Sequence, residues 1–295
     1  ADEVARASRE VRWLVSTPAG LDALRQLARR RGVRLRTAIE LDVGLHRGGA
    51  GSADEVTRIL TVVAADPESL AFAGYLGYDG HVPHAPAILR SRRSAALAAH
   101  RKAMARYGEL VDAGRQAYPA LHAGDLVHNA GGSGSYPLYG PPTPVDDVGI
   151  GGAALRPSAY PDLFLGDLQA AIFVGAPLIA DLGPTRIPFL EGLTALLRWW
   201  NPNARRAFAV YGGGWSGRIV SPPGVEAEAL TTDPPNENLV PNQSLLTASE
   251  RSQVAVGDFV FWQPVNSDAL VQFEELACVR GGAVVDIWRP LRRRY

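Results

Sequence analysis

The chain has 295 residues, of which 46% are hydrophobic and 20% are charged, a composition typical of a folded globular protein with one or two domains. Its 30 basic and 30 acidic residues balance, which argues against a nucleic-acid-binding face. The single cysteine excludes an intrachain disulfide, and no run of about 18 apolar residues predicts a membrane span. These features favour a cytoplasmic protein that binds neither nucleic acid nor membrane.

Short apolar runs alternate with helical segments through the first half of the chain. The pattern predicts strands at residues 13–16, 35–43, 72–78, 126–129 and 147–155, with helices at residues 18–28, 53–65 and 94–117 between them. Strands that alternate with helices form a parallel sheet, and a closed barrel of this type needs eight strands. Residues 1–157 are therefore predicted to form part of a TIM-type (β/α) barrel that is incomplete at its N-terminus.

After residue 157 the pattern changes to strands separated by Gly, Pro and Asn turns. The predicted strands lie at residues 169–177, 206–211, 258–263 and 283–288, and one helix is predicted near residues 189–200. Residues 158–295 are therefore predicted to form a C-terminal β domain.

Three loops that follow predicted barrel strands combine glycine with polar residues, and active sites of such barrels lie at that end of the strands. In residues 40–49, the planar guanidinium of Arg47 suits a localised anion. In residues 74–81, His81 titrates near neutral pH and suits proton transfer. In residues 128–136, a Gly/Ser-rich run exposes backbone N–H groups that suit a phosphate. Each motif also has an ordinary explanation: a surface arginine, a loop histidine with a satisfied hydrogen bond, or a flexible connection.

These three motifs, in this order, resemble those of the alanine-racemase-type (fold type III) enzymes that depend on pyridoxal 5′-phosphate (PLP). The resemblance is closest to the D-threonine aldolase and D-serine dehydratase branch. It implies that Arg47 hydrogen-bonds the phenolate oxygen of the cofactor, that Tyr78 packs against the pyridine ring, and that His81 exchanges a proton near the substrate. Tyr78 and His81 are the candidate catalytic residues. The other candidate cofactor-binding residues are Asn129, Gly131, Gly132, Ser133, Gly134, Gly152 and Ala153.

The resemblance implies a lyase that acts on D-amino acids or on D-β-hydroxy-α-amino acids, by aldol cleavage or by β-elimination with deamination. It also implies a head-to-tail homodimer in which Tyr211 reaches the partner. Two other functions stay open. A PLP-dependent racemase needs two bases, and His81 is the only one that the motifs identify. A non-catalytic relative would bind PLP or phosphate without turnover.

Lysine is the main departure from the family pattern. Family members bind the aldehyde of the cofactor through a lysine at the end of the first barrel strand, which would precede Ala1. Lys102 is the only lysine, and it lies in the middle of a predicted helix. We therefore expect the chain to be a piece of a longer enzyme rather than a lysine-free relative. Ile150 is a second departure, because it stands where relatives place a polar group facing the pyridine nitrogen.

The candidate metal site is also altered. In this branch a metal-binding His is followed two residues later by Asp or Cys, and this chain has Asn266 and Asp268 at those positions. The other metal-contacting region resembles residues 241–244, which also lack His. Zn²⁺ prefers His and Cys, whereas carboxylate and amide oxygens suit Mg²⁺ or Ca²⁺. A divalent metal at Asp268 and Asn266 is therefore expected to bind weakly.

Overall fold

The computed structural model describes residues 2–160, 163–186, 189, 191–227 and 243–290. The chain divides into two compact units, residues 1–153 with 161–167 and residues 154–160 with 168–295. The first unit is an α/β structure with a parallel sheet, and the second is built on antiparallel strands. The predicted fold class, a partial TIM-type barrel followed by a β domain, is confirmed.

The first unit contains one five-stranded sheet whose strands follow the chain order and run parallel. The strands are β1 (Arg12–Val15), β2 (Leu35–Glu40), β3 (Leu70–Gly77), β4 (Val127–Ala130) and β5 (Asp147–Val148). The helices are α1 (Asp2–Glu10), α2 (Pro18–Arg31), α3 (Ala53–Ala65) and α4 (Arg92–Ala117). This order places the loops after β2, β3, β4 and β5 at one end of the sheet.

Local capping explains why the helices begin and end where they do. Thr17 accepts a hydrogen bond from the Gly20 N–H at 3.1 Å, which caps α2 as its Thr-Pro start predicts. Ser52 caps α3 in the same way through the Glu55 N–H at 3.2 Å. Gly32 ends α2 in the left-handed region, where glycine carries no steric penalty.

The core of this unit lies between the sheet and the helices α3 and α4. Tyr75 of β3, Leu60 of α3 and Tyr107 and Leu110 of α4 are among its fully buried side chains. Burial of a large apolar side chain contributes roughly 1.5–3 kcal/mol, so these helices are held mainly by packing. The rigid sheet therefore fixes the positions of the loops that follow its strands.

The fifth strand is much shorter than the strand predicted at residues 147–155. β5 contains only two residues, and a 3-10 helix at Gly152–Leu155 follows it. The N–H groups of Gly151 and Ala153 donate to the Ser133 hydroxyl at 3.2 and 3.1 Å instead of extending a strand. The sequence pattern alone does not reveal this bond between separate loops.

The second unit is formed by a six-stranded antiparallel sheet and a two-stranded hairpin. The sheet order is β8 (Gly217–Ser221), β11 (Phe259–Pro264), β6 (Val174–Gly183), β7 (Arg206–Val210), β10 (Leu245–Ala248) and β9 (Val225–Ala227). The hairpin consists of β12 (Leu276–Arg280) and β13 (Ala283–Trp288), and the one helix within the described part of this unit is α5 (Glu191–Trp200). Strands β8, β9, β10 and β12, and helix α1 of the first unit, are not among the predicted elements.

Strand β6 lies later in the chain than the strand predicted at residues 169–177. Proline is normally disfavoured within a sheet, so the sequence predicts that the strand ends at Pro177. Instead the Pro177 carbonyl accepts the Tyr211 N–H at 2.9 Å, and a register irregularity follows at Leu178. The irregularity accommodates the proline, because a β-bulge interrupts the regular hydrogen bonding between the paired strands next to it.

No helix in the described ranges is both long and apolar enough to span a membrane.

Candidate functional site

The loop after β2 is organised by the carboxylate of Asp42. The backbone N–H groups of Gly44 and His46 both donate to its Oδ1 at 3.0 Å, and the His46 ring nitrogen Nδ1 lies 2.7 Å from Oδ2. Partial burial tends to raise the pKa of Asp42, but these hydrogen bonds and the charge of His46 outweigh it and lower the pKa. The ionised carboxylate therefore holds a fixed turn just before Arg47.

Arg47 lies over the ring of Tyr78. The guanidinium carbon Cζ is 4.6 Å from the ring centroid, a cation–π distance. The ring is packed so closely against Gly80 and Gly132 that a Cβ on either residue would lie 2.7 Å from a Tyr78 ring atom. The structure thus brings residues from the loops after β2, β3 and β4 together around one aromatic ring.

His81 lies beside the loop that follows β2. A Cβ built on Gly44 would lie 3.2 Å from the His81 Nε2, so the imidazole packs against a residue that has no side chain. The other ring nitrogen, Nδ1, is buried and has no hydrogen-bond partner within the described ranges. Burial lowers the pKa of His81, and the negative charges of Asp79 and Asp42 only partly oppose that shift.

We expect His81 to titrate below its ordinary value of 6.5. A lowered pKa means that the imidazole is neutral at neutral pH and can accept a proton, and that it becomes charged only when the solution is more acidic. An NMR pH titration of the histidine ring protons, with the resonance assigned by His81→Gln, measures this midpoint. A midpoint at or above 6.5 would contradict the buried, neutral imidazole.

The turn after β4 and the turn after β5 are neighbours. β4 pairs with β5 in parallel through Asn129 with Asp147 and Ala130 with Val148. The Ser133 hydroxyl then accepts the two N–H groups of the next turn, including that of Ala153, a candidate phosphate-binding residue. Residues 131–134 and 151–153 are thus placed at the same end of the sheet, and their convergence on one anion stays a prediction.

Two other candidate residues, Asn129 in β4 and Gly134 in the loop after it, have structural partners. The Asn129 side-chain amide donates to Asp147 Oδ2 at 2.8 Å, which fixes the end of β4 to β5. A Cβ on Gly134 would lie 2.7 Å from Cγ of Pro83. The glycine loop, residues 131–134, therefore also packs against the segment that follows His81. The loops after β3 and β4 therefore form one packed surface.

Asp79 is a buried residue beside the candidate site that the sequence prediction did not include. It lies between the candidate residues Tyr78 and His81, and its side chain has no solvent-exposed surface. Ser135 donates to its Oδ1 at 2.6 Å, and Tyr139 donates to its Oδ2 at 2.9 Å. The only sequence signal for it is its place within the predicted motif.

The candidate metal residues Asn266 and Asp268 lie in the second unit. Asn266 accepts the Asp268 N–H at 3.1 Å and caps a 3-10 helix at Ser267–Gln272. No group of three or more His, Cys, Asp or Glu side chains that could hold a metal occurs in the described ranges. Of the second predicted metal region, residues 241 and 242 lie outside the described residues.

Lys102 and Ile150, the residues at which the chain departs from the family pattern, are both exposed in the structure. Lys102 lies on the exposed side of α4, as its surroundings of Ala and Arg predict. The Ile150 side chain is 52% exposed in the turn after β5.

Comparison with solved structures shows which fold this chain shares. D-threonine aldolase from Filomicrobium marinum superposes with a TM-score of 0.71 at 19% identity, over 97% of this chain and 71% of that one. D-threo-3-hydroxyaspartate dehydratase from Delftia sp. HT23 gives a TM-score of 0.64 at 15% identity, over 98% of this chain and 74% of that one. Alanine racemase from Streptomyces coelicolor A3(2) gives 0.62 at 16%, over 88% of this chain and 64% of that one. The chain therefore has the fold that these enzymes share.

A sequence comparison finds a family model that matches the first part of the chain. Residues 1–140 match the family described as alanine racemase, N-terminal domain. No curated protein sequence matches the chain. The resemblance stated from the motifs is therefore confirmed over the first unit of the chain.

Proposed function

We propose that the chain binds PLP and forms the cofactor site of a lyase that acts on D-amino acids or D-β-hydroxy-α-amino acids. The observation that carries this proposal is that Arg47, Tyr78 and two turns, residues 131–134 after β4 and residues 151–153 after β5, lie at one end of the sheet. These two turns are called the glycine turns. Such barrels place their active sites at this end. The likeness to an aldolase, a dehydratase and a racemase supports the substrate class, at 15–19% identity.

The residues present fit a phosphorylated ring. The N–H groups of Gly151 and Ala153 converge on a single oxygen atom, the Ser133 hydroxyl, and a phosphate oxygen that took the place of this hydroxyl would accept the same two hydrogen bonds. Hydrogen bonds to a charged group contribute roughly 1.5–3 kcal/mol each, so a few of them hold a phosphate without a lysine. Tyr78 offers an aromatic face, and Arg47 offers a cation for a phenolate oxygen.

The chemistry divides between the cofactor and the chain. PLP, when bound, supplies an electron sink that weakens bonds at the Cα atom of the substrate. In our proposal His81 accepts or returns a proton at the substrate, because its lowered pKa keeps the imidazole neutral at neutral pH. Arg47 and Tyr78 orient the ring, and the glycine turns hold the phosphate.

Binding is tested with pyridoxine 5′-phosphate, which carries the ring and the phosphate but has no aldehyde and so measures the pocket alone. Isothermal titration is expected to give one site per chain. Reaction type is then tested with PLP and a D-β-hydroxy-α-amino acid. An aldehyde with glycine indicates aldol cleavage, a keto acid with ammonia indicates elimination, and an inverted amino acid indicates a racemase. Failure to bind the probe would contradict the proposal.

One observation favours a second candidate function, a non-catalytic PLP- or phosphate-binding protein. Lys102 is the only lysine in the chain, and it is exposed on α4 rather than placed in a loop beside Arg47 and Tyr78. Binding of pyridoxine 5′-phosphate without any product from D-amino acids would select this candidate.

The chain as given is expected to bind PLP without covalent attachment at Lys102, because that side chain lies on an exposed helical surface away from the strand-end loops. Borohydride reduction followed by peptide mass spectrometry measures attachment. Lys102→Arg, which keeps the charge, is the matched control and is expected to bind the cofactor equally. Stoichiometric reduced cofactor on Lys102 would show that the site is assigned to the wrong place.

We also propose that the protein is a homodimer. Helix α5 of the second unit exposes the apolar side chains of Leu193, Leu196, Trp199 and Trp200, and Tyr211 is 69% exposed. Exposed apolar groups of this size mark interaction surfaces. Analytical ultracentrifugation is expected to give twice the 31.5 kDa mass of the chain. A monomer at every concentration tested would contradict this part of the proposal.

A further inference from the structure

The carboxylate of Asp79 is buried where two loops of the site meet. Both of its oxygens accept hydrogen bonds, Oδ1 from the Ser135 hydroxyl at 2.6 Å and Oδ2 from the Tyr139 hydroxyl at 2.9 Å. The His100 ring nitrogen Nδ1 lies 3.7 Å from Oδ2. A carboxylate without water is stable in a protein only when such partners stay in place.

The partners of Asp79 belong to a different loop from Asp79 itself. Asp79 follows β3, whereas Ser135 and Tyr139 follow β4, 56 and 60 residues further along the chain. The N–H groups of Ser135 and Tyr136 also donate to the Gly132 carbonyl at 3.1 and 3.0 Å. Ser135 is thus part of the turn that shapes the glycine loop, and Asp79 is bonded directly to that turn.

The neighbours of Asp79 in sequence are the two candidate catalytic residues. Tyr78 packs on Gly132, and the Asp79 carbonyl accepts the Val82 N–H at 2.9 Å in the turn that carries His81. A shift between the two loops would move the Tyr78 ring relative to Gly132. It would also remove donors from a carboxylate that has no access to water.

We infer that Asp79 is a positioning residue. Through Ser135 and Tyr139 it keeps Tyr78 and His81 at a fixed position relative to the glycine loop. The inference rests on the proposed function, in which that loop binds phosphate. Asp79 does not touch the ligand. Its effect on binding is transmitted by the two hydroxyl groups, so the removal of either hydroxyl weakens the ligand site while the Asp79 side chain itself is unchanged.

The test compares two tyrosines whose hydroxyls are bonded inside the first unit. Tyr139→Phe removes a hydroxyl that Asp79 uses, whereas Tyr75→Phe removes a hydroxyl that bonds His122 at 2.8 Å on the α4 side of the sheet. Each change deletes one hydrogen-bonded oxygen from a largely buried ring, so their general effects on stability are matched. Ser135→Ala deletes the other donor to Asp79, and Asp79→Asn removes the charged acceptor.

Two measurements are made on each variant, the affinity for pyridoxine 5′-phosphate and the pKa of His81 in the ligand-free protein. Tyr139→Phe and Ser135→Ala are expected to weaken binding about tenfold each, and Asp79→Asn more than either. Tyr75→Phe is expected to stay within about twofold of the unchanged protein. Because burial is what lowers the pKa of His81, a released loop lets water reach the ring. The pKa then rises towards its ordinary value in Tyr139→Phe but not in Tyr75→Phe.

Wild-type affinity and wild-type His81 pKa in both Tyr139→Phe and Ser135→Ala would overturn the inference. An equal loss in Tyr75→Phe would also overturn it, because the effect would then be general destabilisation. If the unchanged protein does not bind the probe, the proposed function fails. The His81 titration of the ligand-free variants then decides the positioning role by itself.

Discussion

Gly132→Val is expected to abolish binding of pyridoxine 5′-phosphate, with a loss of at least about 100-fold in affinity. A Cβ at this position would lie 2.7 Å from Cε2 of the Tyr78 ring, and valine adds two methyl groups beyond it. The ring is also packed against Gly80 and is covered by Arg47, so it has little room to retreat. The substitution therefore displaces the aromatic face and the glycine loop together.

Gly140→Val is the matched control for that prediction. Gly140 lies in the same connection between β4 and β5 and is exposed, and no atom lies within 4 Å of the position that a Cβ would take there. This variant is expected to bind the probe as the unchanged protein does, and circular dichroism checks that both variants are folded. Undiminished binding by folded Gly132→Val would contradict the assignment of the glycine loop to the ligand site.

Gly74→Ala is expected to lower the free energy of unfolding by roughly 3–5 kcal/mol. Gly74 has a φ of +122°, a conformation that L side chains rarely adopt. A Cβ there would lie 2.0 Å from the carbonyl oxygen of Val127 on the neighbouring strand β4. Because the obstacle is backbone, relief requires the two strands to separate. Urea denaturation monitored by circular dichroism measures the change.

Gly108→Ala is the control for the stability measurement. Gly108 lies inside α4, and no atom lies within 4 Å of its Cβ position. Alanine is favoured over glycine in a helix by about 0.5–1 kcal/mol, so this variant is expected to be more stable. A Gly74→Ala protein as stable as the unchanged one would contradict the close approach of β3 and β4.

Much of the first unit is predictable from sequence because its signals are local. Helix α3 has the predicted bounds Ala53–Ala65, since Ser52 caps its start and apolar residues recur at helical spacing along it. Strand β3 is predictable because it is an apolar run between α3 and a turn that contains Gly80. In the second unit β8, β9 and β10 are short strands that pair with segments distant in sequence, and the sequence pattern therefore misses them.

The candidate site shows the same division between local and distant signals. Arg47, Tyr78 and the glycine loop are predictable, because each belongs to a short motif directly after a strand. The role of Asp79 cannot be predicted in this way, because it depends on Ser135 and Tyr139, which lie 56 and 60 residues away in sequence. The short extent of β5 escapes prediction for the same reason, since the Ser133 hydroxyl bonds the turn that the pattern assigns to a strand.

The most direct test of the account is an NMR titration of the isotope-labelled protein with pyridoxine 5′-phosphate. We predict saturable shifts of the backbone amides of Tyr78, Gly132, Ser133 and Ala153 with one common affinity, and no shifts at glycines 257 and 281 of the second unit. Shifts confined to the second unit, or separate affinities for the turn after β4 and the turn after β5, would contradict a single phosphate site built from these loops.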